Sequence, residues 1–142
     1  VFILVVLGLF SVKASGQVCI GKLVNGEPQF RKNPDELLEN YNAFIAEYAD
    51  MKVHFTSVSF VRSQDSAISY DYNLVFIGSG FRGSMGVQLE GDELMAVDKT
   101  TCITAECASS MFECAPAHGQ SCTPCTNDGD CIKIASTESI LR

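Results

Sequence analysis

The chain has 142 residues, and 17 acidic against 10 basic side chains give it a formal net charge of −7 at pH 7. This acidic balance argues against nucleic acid and anionic lipid as partners. The length suits one domain with a small appendage, and the seven cysteines are the most unusual feature of the composition.

The first sixteen residues predict a secretory signal peptide. An apolar run over residues 1–12 leads into small residues, so that either Val12 and Ala14 or Ala14 and Gly16 fit a signal-peptidase site. The run is shorter than the ~20 apolar residues of a membrane-spanning helix, although without an initiator Met the leader is incomplete and a retained signal anchor is the alternative. We expect a secreted, extracellular protein that is free of the membrane once the leader is cleaved.

Residues 17–101 predict one helix and a sheet. A short apolar segment, 18–24, ends at the turn signal Asn25-Gly26. Asn33 then suits a helix N-cap and Pro34 the first helical position, and apolar residues recur at three- and four-residue spacing to about residue 50. This helix requires an apolar partner surface.

Strands provide that surface. Apolar and polar residues alternate over 67–77 and 81–90, and the turn at 90–93 leads into another apolar segment at 94–97. Residues 53–61 predict a further strand upstream, with a bulge or burial on both faces. The expected fold is α+β: one amphipathic helix packed on a four- to five-stranded antiparallel sheet, with one apolar and one wet face, followed by a disulfide-stapled tail.

The order of strand, helix and four sequential strands resembles the cystatin-like arrangement, and its helix-then-sheet ending is similar to NTF2-like domains. The resemblance covers about residues 17–101. For a cystatin it implies inhibition of papain-type proteases through a QxVxG loop and a Pro-Trp pair, but residues 62–66 and 90–93 occupy those two places without either motif. No inhibitory residue is therefore carried over.

Four residues are the candidates for a functional pocket. His54, Asp71 and the tyrosines Tyr70 and Tyr72 can line a cavity between helix and sheet, as acid-base groups do in some NTF2-like enzymes. The alternative is that the tyrosines pack in the core or across strands and that His54 lies on a solvated face. No serine elbow, HExxH sequence or phosphate-binding glycine loop accompanies them, so we predict no catalytic residue, no cofactor and no enzyme activity.

Residues 102–142 form a cysteine-rich C-terminal tail. Its six cysteines are Cys102, Cys107, Cys114, Cys122, Cys125 and Cys131. The two-residue spacing of Cys122 and Cys125 is typical of a zinc knuckle or a redox pair, and His118 is a further candidate metal ligand. In an oxidising secretory route such cysteines normally form disulfides, which a segment with little apolar surface needs to hold a shape. We predict disulfides and no metal.

The seventh cysteine, Cys19, leaves the pairing open. Six tail cysteines can pair among themselves, or Cys19 can bridge to Cys102 and leave one tail cysteine unpaired. Either way one thiol remains for an intermolecular disulfide that would join two copies of the chain. The favoured function is a secreted binding protein for an extracellular protein or a small ligand. The alternatives are a cystatin-scaffold protease inhibitor with divergent loops and an NTF2-like small-molecule carrier or enzyme.

Overall fold

The computed structural model describes residues 17–65 and 67–142, so the predicted signal peptide lies outside the described residues. The described elements, in chain order, are β1 (Gln17–Val24), β2 (Glu27–Phe30), α1 (Pro34–Tyr48), β3 (Ser57–Arg62), β4 (Tyr72–Gly78), β5 (Phe81–Glu90), β6 (Glu93–Thr104), β7 (Pro116–Ala117), β8 (Ser121–Cys122) and β9 (Ile132–Ala135).

Helix α1 begins where the capping signals predict. The side chain of Asn33 accepts a hydrogen bond from the Asp35 amide at 2.9 Å, and Pro34 occupies the first turn. The buried side chains of the helix are Leu37, Tyr41, Phe44 and Ile45, which recur at helical spacing. They form one face and pack into the main core.

The sheet is larger than predicted. It has seven antiparallel strands in the order β2-β1-β6-β5-β4-β3, with β9 also paired to β6. The predicted strand at 94–97 is only the first part of the twelve-residue β6, whose first half pairs with β1 and whose second half pairs with β9. The rings of Phe30 on β2 and Phe60 on β3 lie 4.4 Å apart, which brings the two ends of the strand order together in a nearly barrel-like sheet.

A bulge in β6 ties the C-terminal residues to the core. Residues 98–101 lie between the pairs Gly86–Val97 and Ser84–Cys102, so β6 has extra residues relative to β5. Asp98 lies in this bulge, fully buried, and its backbone oxygen accepts a hydrogen bond from the Ile140 amide at 2.9 Å. Its Oδ2 accepts hydrogen bonds from the Leu141 amide and the Ser139 hydroxyl. The end of the predicted tail therefore belongs to the helix-and-sheet core.

Both faces of the central strands are buried, which corrects the expectation of one wet face. Tyr72, Leu74 and Phe76 of β4 and Met85 and Val87 of β5 face the helix side, in the main core. The alternate residues, which sequence periodicity places in water, are buried as well: Asn73, Val75, Arg82 and Ser84. The physical reason is that residues 105–131, which we call the cystine loops, cover this second face. The order of layers is helix, sheet and cystine loops.

Candidate binding cavity at the cystine loops

Three disulfides hold the cystine loops, which confirms the predicted disulfide bonding. The pairs are Cys102–Cys122, Cys107–Cys125 and Cys114–Cys131. Of the two pairings left open by the sequence, the structure has the one in which the tail cysteines pair among themselves and Cys19 is a free, half-buried thiol on β1. Because all six tail sulfurs are in disulfides, none of them is a thiolate that could bind zinc.

A buried guanidinium joins the cystine loops to the sheet. Arg82 of β5 is fully buried, and its Nη1 donates hydrogen bonds to the carbonyl oxygens of Cys107, Ala108 and Ser110. Its Nη2 donates to the carbonyls of Glu113 and Cys114. Burial lowers the pKa of Arg82, and the Glu113 carboxylate opposes that shift. An arginine can meet several acceptors at once because its planar group carries five N–H donors.

Two of the four residues in the predicted pocket lie on opposite faces of the sheet. Tyr72 is in the main core on the helix side. Tyr70 lies on the loop side, where its ring centroid is 4.9 Å from that of His118 and where Gly86 leaves room for it, since an added Cβ would come within 2.1 Å of the Tyr70 ring. Burial raises the pKa of Tyr70.

The other two residues are held apart from each other. The His54 carbonyl accepts a hydrogen bond from the Ser79 hydroxyl, just beyond the end of β4, and the side chain of His54 is exposed. Asp71 lies before the start of β4, where its Oδ2 accepts a hydrogen bond from the Leu89 amide at 3.0 Å. The seven-residue length of β4, roughly 20 Å, separates these two positions. The structure does not bring the four residues into one cavity.

A different cavity opens between the β3–β4 connection and the cystine loops. It has a volume of about 150 Å³ and is lined by Ser63, Gln64, Asp65, Ile68, Ser69, Asn73, Phe112, Ala115 and Thr123. We call it the Asn73 cavity. Its lining includes Ile68 and Phe112, whose side chains are 56% and 46% exposed and which are among the largest exposed apolar groups described. Exposed apolar groups around a cavity are typical of a binding surface.

Local hydrogen bonds fix both walls of this cavity. In the turn on the sheet side, Asp65 Oδ1 accepts from the Ala67 amide at 2.9 Å and the Asp65 carbonyl accepts from the Ser69 amide. On the loop side, the Thr123 hydroxyl donates to the Phe112 carbonyl and accepts from the Ala115 amide, each at 3.0 Å. The apolar groups on the two walls are therefore held on ordered backbone.

Two buried oxygen atoms in the lining lack hydrogen-bond partners. Asn73 is 1% exposed, and its Oδ1 and the hydroxyl of Ser63 have no partner among the residues that the structure describes. A buried polar group without a partner costs about 1–3 kcal/mol, so a ligand that donated a hydrogen bond to either atom would recover part of that cost. Asn73 occupies a polar position in an alternating strand, a pattern that predicts solvent exposure, so sequence reasoning could not find this site.

Across residues 17–65 and 67–142, none of the helices combines the length and the apolar character needed to span a membrane. Comparison of the chain with protein-family models, with curated proteins and with solved structures gives no match.

Proposed function

We propose that the protein is an extracellular binding protein and that the Asn73 cavity is its recognition site. The observation that carries this proposal is the buried, unpartnered Oδ1 of Asn73 in a cavity bordered by the exposed side chains of Ile68 and Phe112. Apolar walls with a few fixed polar groups are the usual composition of a ligand site, because the walls supply affinity and the polar groups supply orientation.

The disulfides support the extracellular part of the proposal. Three cystines in one chain are typical of proteins that fold in an oxidising compartment and rare in the cytosol. The cystines also support the binding part, since they hold Phe112 and Thr123 in place in a segment that has few large apolar groups of its own. A preorganised site loses less conformational entropy when it binds.

The test is a screen of small compounds by amide chemical-shift mapping of the oxidised protein. We expect the amides of Ile68, Asn73 and Phe112 to shift together for the compounds that bind. Phe112→Ala should weaken the binding of those compounds, because it removes one apolar wall of the cavity. Ile132→Ala is the matched control: Ile132 is also exposed, on β9, and is not part of the cavity lining.

Two results would contradict the proposed function. One is a screen in which no compound shifts the amides of the cavity lining. The other is an equal loss of affinity in Phe112→Ala and Ile132→Ala, which would mean that the compounds bind to exposed apolar side chains in general.

A further inference from the structure

Resting on the proposed function, we propose that the ligand of the Asn73 cavity is a single ring carrying a hydrogen-bond donor, a phenol or an aromatic amine, in a neutral or cationic form. Three features of the site define this class: the volume of the cavity, the kind of polar atom left without a partner, and the charge at its edge.

The volume sets the size of the ligand. The cavity measures about 150 Å³, and an apolar cavity of about this volume is known to hold benzene. A fused ring system would extend beyond this space into solvent. The side chains of Ile68 and Phe112 provide apolar surface for one ring, and the aromatic ring of Phe112 suits contact with another aromatic group.

The unpartnered atoms set the polarity of the ligand. Asn73 Oδ1 is an acceptor, and the hydroxyl of Ser63 can accept or donate. A ligand with an O–H or N–H group satisfies Asn73 Oδ1 on binding. A ring without a donor leaves that oxygen buried and unpaired, so the cavity discriminates against it.

The carboxylate of Asp65 sets the charge that the site tolerates. Asp65 belongs to the lining, and its Oδ1 accepts a hydrogen bond from the Ala67 amide. The protein as a whole carries a net charge of −7. An anionic group on the ring is therefore repelled, whereas an ammonium group is attracted.

Four probes test this assignment by amide chemical-shift titration of the oxidised protein. Phenol and toluene match in size and differ in the donor, and 4-hydroxybenzylamine and 4-hydroxybenzoate differ in charge. We expect phenol to bind at least about tenfold more tightly than toluene, because one buried hydrogen bond separates them. Between the charged probes, 4-hydroxybenzylamine should bind more tightly, and the difference should shrink as salt is raised.

Variants connect each preference to its residue. Ser63→Ala and Asn73→Leu should each reduce the preference for phenol over toluene. Ser63→Ala, which removes one oxygen atom, keeps the test valid if Asn73→Leu fails to fold. Asp65→Asn should reduce the preference for 4-hydroxybenzylamine over 4-hydroxybenzoate severalfold, whereas Glu39→Gln, which removes an exposed carboxylate from α1, should leave it unchanged.

N-acetyltyrosinamide distinguishes the source of the ring. If it binds as tightly as phenol, the cavity accepts a tyrosine side chain of a polypeptide; if phenol binds and it does not, the ligand is a free small molecule. Both results support the ring-and-donor assignment.

Equal binding of phenol and toluene at the cavity would overturn the donor assignment and leave the proposed function intact. Tighter binding of 4-hydroxybenzoate than of 4-hydroxybenzylamine would overturn the charge assignment. If none of the probes and no compound of the wider screen shifts the cavity amides, the proposed function itself fails.

Discussion

Arg82 is a charged side chain that is buried with most of its donors paired. Its guanidinium donates to five carbonyl oxygens of the cystine loops. Two of these carbonyls also accept a turn amide, Cys107 from Ser110 and Ser110 from Glu113. The others belong to an irregular segment and lack the regular partners of a helix or strand. The two terminal nitrogens of Arg82 and the loop carbonyls therefore pair with each other, whereas the Arg82 Nε has no partner among the described residues. Loss of the guanidinium removes a buried donor from every one of these carbonyls.

We predict that Arg82→Met lowers the free energy of unfolding by about 3–5 kcal/mol, because methionine fills space but donates no hydrogen bond to the loop carbonyls. Urea denaturation measures the change. Arg31→Met is the control: Arg31 is exposed and pairs with Glu93 at 3.7 Å, so it should cost less than about 1 kcal/mol. Similar costs for the two variants would mean that the guanidinium does not hold the loops.

Tyr41 offers a second test at the scale of one atom. Its hydroxyl lies 2.6 Å from the Thr101 hydroxyl, which in turn donates to the Ser84 carbonyl at 3.0 Å, and burial raises the pKa of Tyr41. Tyr41→Phe should cost about 1–2 kcal/mol by thermal denaturation, since it breaks this buried network and leaves the ring in place. Tyr48→Phe, at a position that is 61% exposed, should change stability by less than about 0.5 kcal/mol.

At the scale of elements, acidic side chains connect the two halves of the cystine loops. The Glu113 carboxylate accepts from both the hydroxyl and the amide of Thr126, and the Glu106 carboxylate accepts from the Asp130 amide. The hydrogen bonds from Thr126 are the main reason that the pKa of Glu113 lies below its ordinary value. A carboxyl whose pKa is lowered by folding stabilises the fold when it is ionised.

We therefore predict that the loop contact at Thr126 weakens in acid. The contribution of Glu113 is complete above its ordinary pKa of 4.5 and is lost as the pH falls through the lower folded-state pKa. Amide hydrogen exchange at Thr126, corrected for the intrinsic effect of pH, should show falling protection between about pH 5 and pH 2. In Glu113→Gln the protection should be weaker at neutral pH and no longer depend on Glu113 ionisation; an unchanged pH profile in that variant would contradict the prediction.

The C-terminal segment depends on the buried carboxylate of Asp98. Asp98→Leu removes the Oδ2 atom, which accepts hydrogen bonds from both the Ser139 hydroxyl and the Leu141 amide, and leaves those two donors without a partner. We expect a loss of about 1–3 kcal/mol and early digestion of the chain by a carboxypeptidase. Asp92→Leu is the control, because Asp92 lies on the surface and pairs with a part-exposed Lys22.

At the scale of the whole molecule, the cystine loops and the sheet should differ in their dependence on the disulfides. Each disulfide closes a loop of 17 to 20 residues, a size at which the bond contributes about 3 kcal/mol. Reduction should therefore expose residues 105–131 to proteases, while α1 and strands β1 to β6 keep most of their circular dichroism signal because they pack around their own apolar core.

A chelator without reductant is the control for this experiment. It should leave the loops resistant to protease, because the sulfurs are bound to one another and not to a metal. Nicking between residues 105 and 131 after chelator alone would contradict the disulfide assignment. Loss of the whole circular dichroism signal on reduction would instead show that the sheet unfolds when the cystine loops no longer cover its second face.

The sequence was informative where local rules decide the structure and uninformative where distant segments meet. Asn33 and Pro34 mark the start of α1 because capping is a local effect. Alternation located β4 and β5 but misplaced Arg82 and Asn73, since burial of the second face depends on loops 25 or more residues away along the chain. Strand β9 pairs with β6 across a similar separation. The Asn73 cavity was missed for the same reason, because its two walls come from separate parts of the chain.

The position of Arg82 has a consequence for oxidative folding. Six cysteines can pair in fifteen ways, and most of these are non-native. Cys102 lies in β6, and the guanidinium of Arg82 donates to the carbonyls of Cys107 and Cys114, so each time the loops close over a folded sheet these contacts favour native positions for the three cysteines. The native partners Cys122, Cys125 and Cys131 are thereby favoured over the non-native pairings. A chain without that guanidinium would form more mispaired disulfides. These would persist until thiol–disulfide exchange converted them to the native pairs.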